Sequence, residues 1–133
     1  MKLNIIKEES QKIQNYNNVT IQNNQASLID VSDGECDEVL ISSANSLTTQ
    51  SLFEVIKKVA IGGSLKIEGV ELNMMCRQMV NQMVKDSEVS SIIESSKCIV
   101  PIKVVEGILT SNSFEVETAT LQGIQYQICA TRK

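Results

Sequence analysis

The sequence predicts one α/β domain over residues 1–133, with a mostly parallel sheet that closes in an antiparallel hairpin. Two observations carry this prediction. Strand-like apolar segments alternate with segments of helical periodicity, which is typical of parallel strands joined by crossovers. The C-terminal residues alternate strictly between apolar and polar, as in a half-buried strand. A length of 133 residues is close to that of one domain.

The N-terminal part predicts four short strands. The segments that predict them are, in order, Lys2–Ile6, Val19–Ile21, Ala26–Ile29 and Glu38–Ser42. The polar stretch from residue 7 to residue 18 predicts an exposed connection, and Asp33-Gly34 predicts a turn before the fourth strand. That strand is rich in aliphatic residues, which favours a buried position in the sheet.

The middle of the chain predicts helices on either side of another strand. Leu52, Val55, Ile56 and Val59 fall on one helical face, and Gly62-Gly63 would end that helix. The alternation from Ser64 to Val70 predicts a strand. Further helices are expected at 73–85, 87–95 and 104–109, with an extended segment containing Pro101 before the last of them.

The clearest strand pattern lies at the C-terminus. Ile124, Tyr126, Ile128 and Ala130 alternate with more polar residues, and Phe114–Leu121 precedes them. Gln122-Gly123 is short enough for a tight reversal, so these two segments predict the antiparallel hairpin.

Composition excludes several classes of function. The chain has no His, which removes every mechanism that needs an imidazole base or ligand. Its formal charge is -4 and aromatic residues make up 3%, so neither a basic field nor a stacking platform favours nucleic acid as a partner.

The cysteines and the N-terminal residues indicate in which cellular compartment the protein is expected. Cys36, Cys76, Cys98 and Cys129 are far apart, so no paired motif for a metal or a redox disulfide exists, and free thiols are expected. Lys7, Glu8 and Glu9 interrupt the start of the chain where a signal peptide needs apolar residues. No apolar run approaches the ~20 residues of a membrane span. We therefore expect a cytoplasmic protein with no metal and no membrane contact.

Taken in order, several segments resemble the class I S-adenosylmethionine-dependent methyltransferase family, in a small form that begins at the first strand. The resemblance covers most of the chain and rests on the order and spacing of Met1–Ile5, Asn18–Ile21, Asp37–Ile41, Ala60–Ile67 and Gly107–Val116, followed by the closing hairpin. Ala60–Ile67 is similar to the family's LKPGGxLxI segment. The resemblance implies a three-layer Rossmann-like fold, with S-adenosylmethionine as the cofactor if the protein is active.

The chain departs from the family where the cofactor is held. The turn after the first strand, Ile6–Ser10, has no glycine, although glycine lets the backbone pass close to the cofactor. Glu8 and Glu9 would bring negative charge near the cofactor's carboxylate. The family's ribose-binding acid is replaced by Thr20. If the cofactor binds, the resemblance implies contacts at the following residues: Ile6, Thr20, Asp30, Ser42 and Ser43.

Two main functions follow from this resemblance. In the first, a degenerate member lacking the Gly-rich motif is a non-catalytic binding or structural module that acts through protein contacts, as a homo-oligomer or within a larger assembly. Its small size suggests a viral, virion-associated origin. In the second, it is an active methyltransferase with a divergent site, because methyl transfer depends mainly on proximity and alignment. An unrelated α/β fold is the third alternative.

A methionine pattern suggests where a partner could bind. Met75, Met79 and Met83 recur at every fourth residue of a predicted helix and would form one stripe. Such a stripe packs in the core or forms an exposed surface for a partner protein or a second subunit.

Overall fold

The computed structural model describes residues 1–133. Its centre is a six-stranded sheet in the order β2-β1-β3-β4-β6-β5. The strands are β1 (Lys2–Ile6), β2 (Asn17–Thr20), β3 (Cys36–Ile41), β4 (Val59–Val70), β5 (Phe114–Gln122) and β6 (Gln125–Arg132). The first four pair in parallel, and β6 runs antiparallel to both β4 and β5. The predicted α/β class, a mostly parallel sheet with a C-terminal antiparallel hairpin, is confirmed.

Four α-helices follow the central strands. They are α1 (Thr49–Ile56), α2 (Leu72–Val80), α3 (Asp86–Ser95) and α4 (Ile102–Ser111), and two 3₁₀ helices lie at Glu9–Gln11 and Ala44–Ser46. The predicted helices at 87–95 and 104–109 are confirmed. Pro101 immediately precedes α4, where its fixed φ and missing N–H do not disturb the helix.

One face of the sheet carries the main core. Side chains of alternate residues on β1, β3, β4 and β6 meet there, in the rows Leu3–Val39–Leu65–Ala130 and Ile5–Ile41–Ile67–Ile128. Helices α1 and α4 cover these rows with Leu52, Val55, Val105 and Leu109, and all of these residues belong to one buried cluster. Burial of this apolar area at ~25 cal/mol per Å² is the main stabilising term.

The opposite face, which we call the second face, carries the other alternate residues. They include Asn4, Leu40, Lys66 and Glu68, and by register they lie in neighbouring positions. Over β1, the layer on this face is the β1–β2 connection with its 3₁₀ helix, tied down where Asn4 Nδ2 donates to the Gln11 carbonyl at 3.1 Å. Helices α2 and α3 form a separate small cluster around Val70 at the end of β4.

The predicted strand Ala26–Ile29 is wrong. Residues 26–28 form no regular element, Ile29 and Asp30 form a turn, and Ile29 is 91% exposed. The Ala26 N–H donates to the Ser51 hydroxyl instead of a neighbouring strand. Strand β2 is therefore the edge of the sheet.

The predicted end of the first helix is also wrong. Helix α1 ends at Ile56, and Val59 already belongs to β4. Gly62-Gly63 lies inside β4, where the register with β3 shifts between the pairs Cys36–Val59 and Glu38–Ser64. Gly62 has a φ of 81°, and glycine is used there because the chain bulges within a strand.

The methionine stripe does not form on one helix. Helix α2 ends at Val80, and Gln82 adopts a φ of 57°, so Met83 lies beyond the helix. Met75 is buried, whereas Met79 is 38% and Met83 74% exposed. The three residues therefore have different environments.

Candidate functional site

The carboxyl ends of the parallel strands are where α/β sheets bind ligands. Four of the five predicted contact residues lie there. Ile6 pairs with Thr20, and the Ser42 N–H donates to the Ile5 carbonyl at 3.1 Å. Ser43 precedes the 3₁₀ helix that follows β3. Asp30 lies apart from this group in an exposed turn.

In the turn after β1, a side chain of the same segment accepts hydrogen bonds from the backbone N–H groups. The N–H groups of Lys7 and Glu8 both donate to Gln11 Oε1, at 2.9 and 3.0 Å. Ile6 is fully buried. Free backbone N–H groups at such a turn are what hold a ligand's anionic group, and here these two N–H groups already have a partner.

The region after β2 is a shallow polar depression. It has a volume of about 270 Å³ and is lined by Thr20, Gln22, Asn23, Gln25, Ala26 and Ser27. No carboxylate belongs to this lining, so it has no acceptor matched to a pair of ribose hydroxyls. The volume is also below the ~300–1,000 Å³ of a ligand pocket.

The end of β3 is tied to the rest of the chain through Asn45, which is 7% exposed. Its Oδ1 accepts the Val70 N–H at 3.2 Å, and its Nδ2 donates to the Ser96 hydroxyl at 2.8 Å. The Asn45 carbonyl accepts the N–H of Lys97 at 2.7 Å. Asn45, which follows β3, is therefore hydrogen-bonded both to the end of β4 and to the segment after α3.

The end of β4 is closed by a buried carboxylate. Glu71 is 2% exposed, and its two oxygens accept the N–H groups of Met74 and Ile102, each at 2.9 Å. These groups lie in the first turns of α2 and α4. Glu71 thus satisfies donors at two helix N-termini, where negative charge is also favoured by the helix dipoles.

The pKa values of Glu38 and Cys36 are shifted from their ordinary values in opposite directions. The Tyr16 hydroxyl donates to Glu38 at 2.6 Å, and Lys2 lies 3.3 Å from the same carboxylate. The hydrogen bond and the nearby ammonium lower the pKa of Glu38. Burial raises the pKa of the Cys36 thiol, which keeps it protonated and inert at neutral pH.

Neither a metal centre nor a membrane-spanning helix is found. The chain brings no three His, Cys, Asp or Glu side chains together as metal ligands. The four cysteines are free thiols, with Cys36 buried and Cys76 exposed. None of the helices combines the length and the apolar character needed to cross a bilayer.

Comparison with known proteins supports the fold. The chain is similar to the crystal structure of a SAM-dependent methyltransferase from Archaeoglobus fulgidus, with a TM-score of 0.54 and 15% sequence identity. The match covers 96% of this chain and 74% of that one. No family model and no curated protein matches the sequence. The chain therefore has a methyltransferase-like fold.

The sequence prediction missed the residues that close these strand ends, Gln11 and Glu71. A signal for each was present. Gln11 follows Glu8 by three residues, the spacing of a reciprocal cap, and Glu71 directly precedes a helical pattern. Both positions indicate capping, although the sequence alone does not show that Glu71 also reaches Ile102.

Proposed function

We propose that this protein is a methyltransferase-like binding module with a degenerate cofactor site and no methyl-transfer activity. The observation that carries the proposal is the Gln11 side chain, which occupies the N–H groups of Lys7 and Glu8 after β1. A cofactor bound at this turn would have to displace an internal hydrogen-bonding partner and reorganise the 3₁₀ helix. The residues at the strand ends therefore do not fit S-adenosylmethionine.

Charge and shape support the same function. Glu8 and Glu9 are exposed beside the turn, and a carboxylate within ~4 Å of another costs about 1 kcal/mol or more in partly shielded surroundings. Thr20 supplies one hydroxyl where an acid would be needed. The ends of β3 and β4 are closed by Asn45 and Glu71, so these positions contribute to stability instead of presenting groups to a substrate.

Binding of a protein partner is the role that remains for such a module. The proposed surface is the end of α2 and the residues after it, where Val80 is 78% and Met83 74% exposed. Exposed apolar side chains of this kind favour contact with another protein or a second copy of the chain. An active methyltransferase with a divergent site is the competing function, and only the fold supports it.

The test is calorimetric titration with S-adenosylmethionine and S-adenosylhomocysteine, with thermal unfolding as a second readout. A bound ligand at 100 times its Kd would stabilise the fold by about 2.7 kcal/mol. We expect no heat of binding and no shift in Tm. The Archaeoglobus fulgidus methyltransferase serves as the positive control.

A Gln11→Ala variant sharpens the experiment, because it frees the N–H groups of Lys7 and Glu8. Micromolar binding by the wild-type protein would overturn the proposal. Binding that appears only in the variant would support the role of Gln11 in closing the turn.

A further inference from the structure

Strand β5 forms one edge of the sheet, and its outer side is uncovered. It pairs only with β6, and no backbone hydrogen bond outside the helices and the sheet involves a residue of β5. Residues 117–122 are all exposed. An edge strand presents a row of unpaired N–H and C=O groups, to which another extended strand can bind.

The register of the hairpin shows which of these groups face outward. Gln122 and Gln125 flank the tight turn that contains Gly123, so they form a hydrogen-bonded pair. Hydrogen-bonded and non-hydrogen-bonded pairs alternate along an antiparallel ladder. Leu121 and Ala119 therefore form non-hydrogen-bonded pairs with β6, and their N–H and C=O groups point away from it.

The segment Thr118–Gln122 lacks the residues that usually protect an edge strand. It contains no charged residue and no proline, and these are the residues that block pairing at edges. The carboxylates of β5 precede this segment. Glu117 accepts a hydrogen bond from the Thr131 hydroxyl, and Glu115 forms an ion pair with Lys133. Both carboxylates are thus bound by residues in or directly after β6.

Antiparallel pairing with a second copy of the chain satisfies all of these outward groups. If Thr120 lies on a two-fold axis, Ala119 of each copy is opposite Leu121 of the other copy. Both are then hydrogen-bonded pairs, because outward groups meet outward groups. Shifting the register by two residues would bring the bulge before this segment, or the turn after it, into the pairing. Some of these hydrogen bonds would then be lost.

The side chains that this register brings together are compatible. Leu121, which is 47% exposed, packs against Ala119 of the second copy. On the second face, Thr120 meets Thr120 of the second copy, and Thr–Thr pairs across strands are favourable. The Glu117 residues of the two copies lie about 20 Å apart at ~3.4 Å per residue. Parallel pairing in register would place them side by side, so charge favours the antiparallel arrangement.

We propose that two copies of this chain join through β5, with Thr120 on the two-fold axis, so that the sheet continues from one molecule into the other. The contact does not rest on the proposed function, because neither the turn after β1 nor the end of α2 takes part. Two paired segments of this length make a contact that is small compared with a standard interface, so association is expected at high protein concentration.

The first test is sedimentation velocity on the Val80→Ser/Met83→Ser protein, which lacks the exposed apolar side chains at the end of α2. We expect a dimer at high concentration. Adding Thr120→Glu should weaken this dimer about tenfold or more, because the two carboxylates would lie directly opposite each other. Gln122→Glu is the matched control on the same face of the same strand. Its two copies lie about 14 Å apart, so the Kd should change by less than about threefold.

The second test is disulfide crosslinking, which reports the register itself. Thr120→Cys places two thiols at the axis, where the Cα atoms of a non-hydrogen-bonded pair are about 4.5 Å apart and within disulfide reach. With diamide as the oxidant, which takes up the two electrons and two protons that the thiols release, this variant should form a covalent dimer. Gln122→Cys is the control and should remain monomeric in the presence of reagent.

Both cysteine variants also carry Cys76→Ser and Cys129→Ser. These changes remove the exposed native thiol and the thiol on the neighbouring strand. A covalent dimer can then form only through the introduced residue or through the less accessible Cys36 and Cys98, which both variants share. Tm values will show that each variant remains folded.

Three outcomes would overturn the inference. The first is a Val80→Ser/Met83→Ser protein that stays monomeric at about 1 mM, which would leave the edge to an extended segment of another protein. The second is an equal effect of Thr120→Glu and Gln122→Glu on the Kd. The third is equal crosslinking of the two cysteine variants.

Discussion

Glu71 accepts the N–H of Ile102 at 2.9 Å and thereby holds the start of α4 against the end of β4. The two residues are 31 positions apart in sequence. With its other oxygen, Glu71 accepts the N–H of Met74. One buried carboxylate thus fixes two helices to the same strand end, the carboxyl end of β4.

Replacing Glu71 with Gln is expected to destabilise the fold by about 1–3 kcal/mol. A glutamine keeps one acceptor oxygen, but its NH₂ group faces a second N–H donor and leaves it unpaired in the interior. Urea unfolding will measure the free energy of unfolding. Glu94→Gln, at an exposed position of α3, is the control and should change it by less than about 0.5 kcal/mol. Equal effects of the two substitutions would contradict the capping role of Glu71.

Gly63→Ala is expected to destabilise the protein by about 1–3 kcal/mol. A Cβ at this position would lie 2.9 Å from the Ala60 carbonyl oxygen and 3.1 Å from that of Asp37, and backbone atoms cannot easily move away. Gly107→Ala is the matched control, because nothing lies within 4 Å of its Cβ position inside α4. That change should stabilise the helix by up to about 1 kcal/mol. Thermal unfolding of both variants checks these opposite signs.

The charge of Glu38 makes stability depend on pH in the acid range. Its pKa is lowered in the folded protein by the Tyr16 hydrogen bond and by Lys2. The resulting stabilisation is fully present above the unfolded pKa of about 4.3 and is lost as the pH falls through the lower, folded pKa.

The variant Glu38→Gln keeps an acceptor for Tyr16 but has no charge. Wild type should be more stable at pH 7 by less than about 1 kcal/mol, since the ion pair is partly exposed. This difference in the free energy of unfolding should vanish at pH values below the folded pKa of Glu38, as measured by denaturant unfolding at several pH values. A constant difference across this range would show that the carboxylate charge is not responsible.

Self-association through the end of α2 is expected at high protein concentration. Sedimentation velocity over a concentration series should show a dimer, and the double variant Val80→Ser/Met83→Ser should weaken it about tenfold or more by removing exposed apolar area. Ile61→Ser, at an 81% exposed position in β4, is the control. A wild-type protein that remains monomeric, or an equal effect of the control, would exclude this surface as a site of self-association.

The order of strands and helices could be predicted from local sequence patterns. The alternation in β6 and the helical spacing of Leu52, Val55 and Ile56 each reflect one buried face, and burial is what these periodicities record. The prediction failed where the deciding contact is distant. Ala26–Ile29 has the composition of a strand but no neighbouring strand to pair with. Gly62-Gly63 has the composition of a helix end, but pairing with β3 places these residues at a bulge inside a strand.

The sequence by itself determined the α/β class, the closing hairpin and the lack of glycine after β1, because each depends on residue type and near neighbours. Only the tertiary structure decided how the strand ends are filled. Asn45 and Glu71 reach Ser96 and Ile102 through the fold, and Asn4 is left with one acceptor unpaired by the same packing. Hydrogen bonds between residues far apart in sequence leave no periodic pattern, so they become visible only when the chain has brought their partners together.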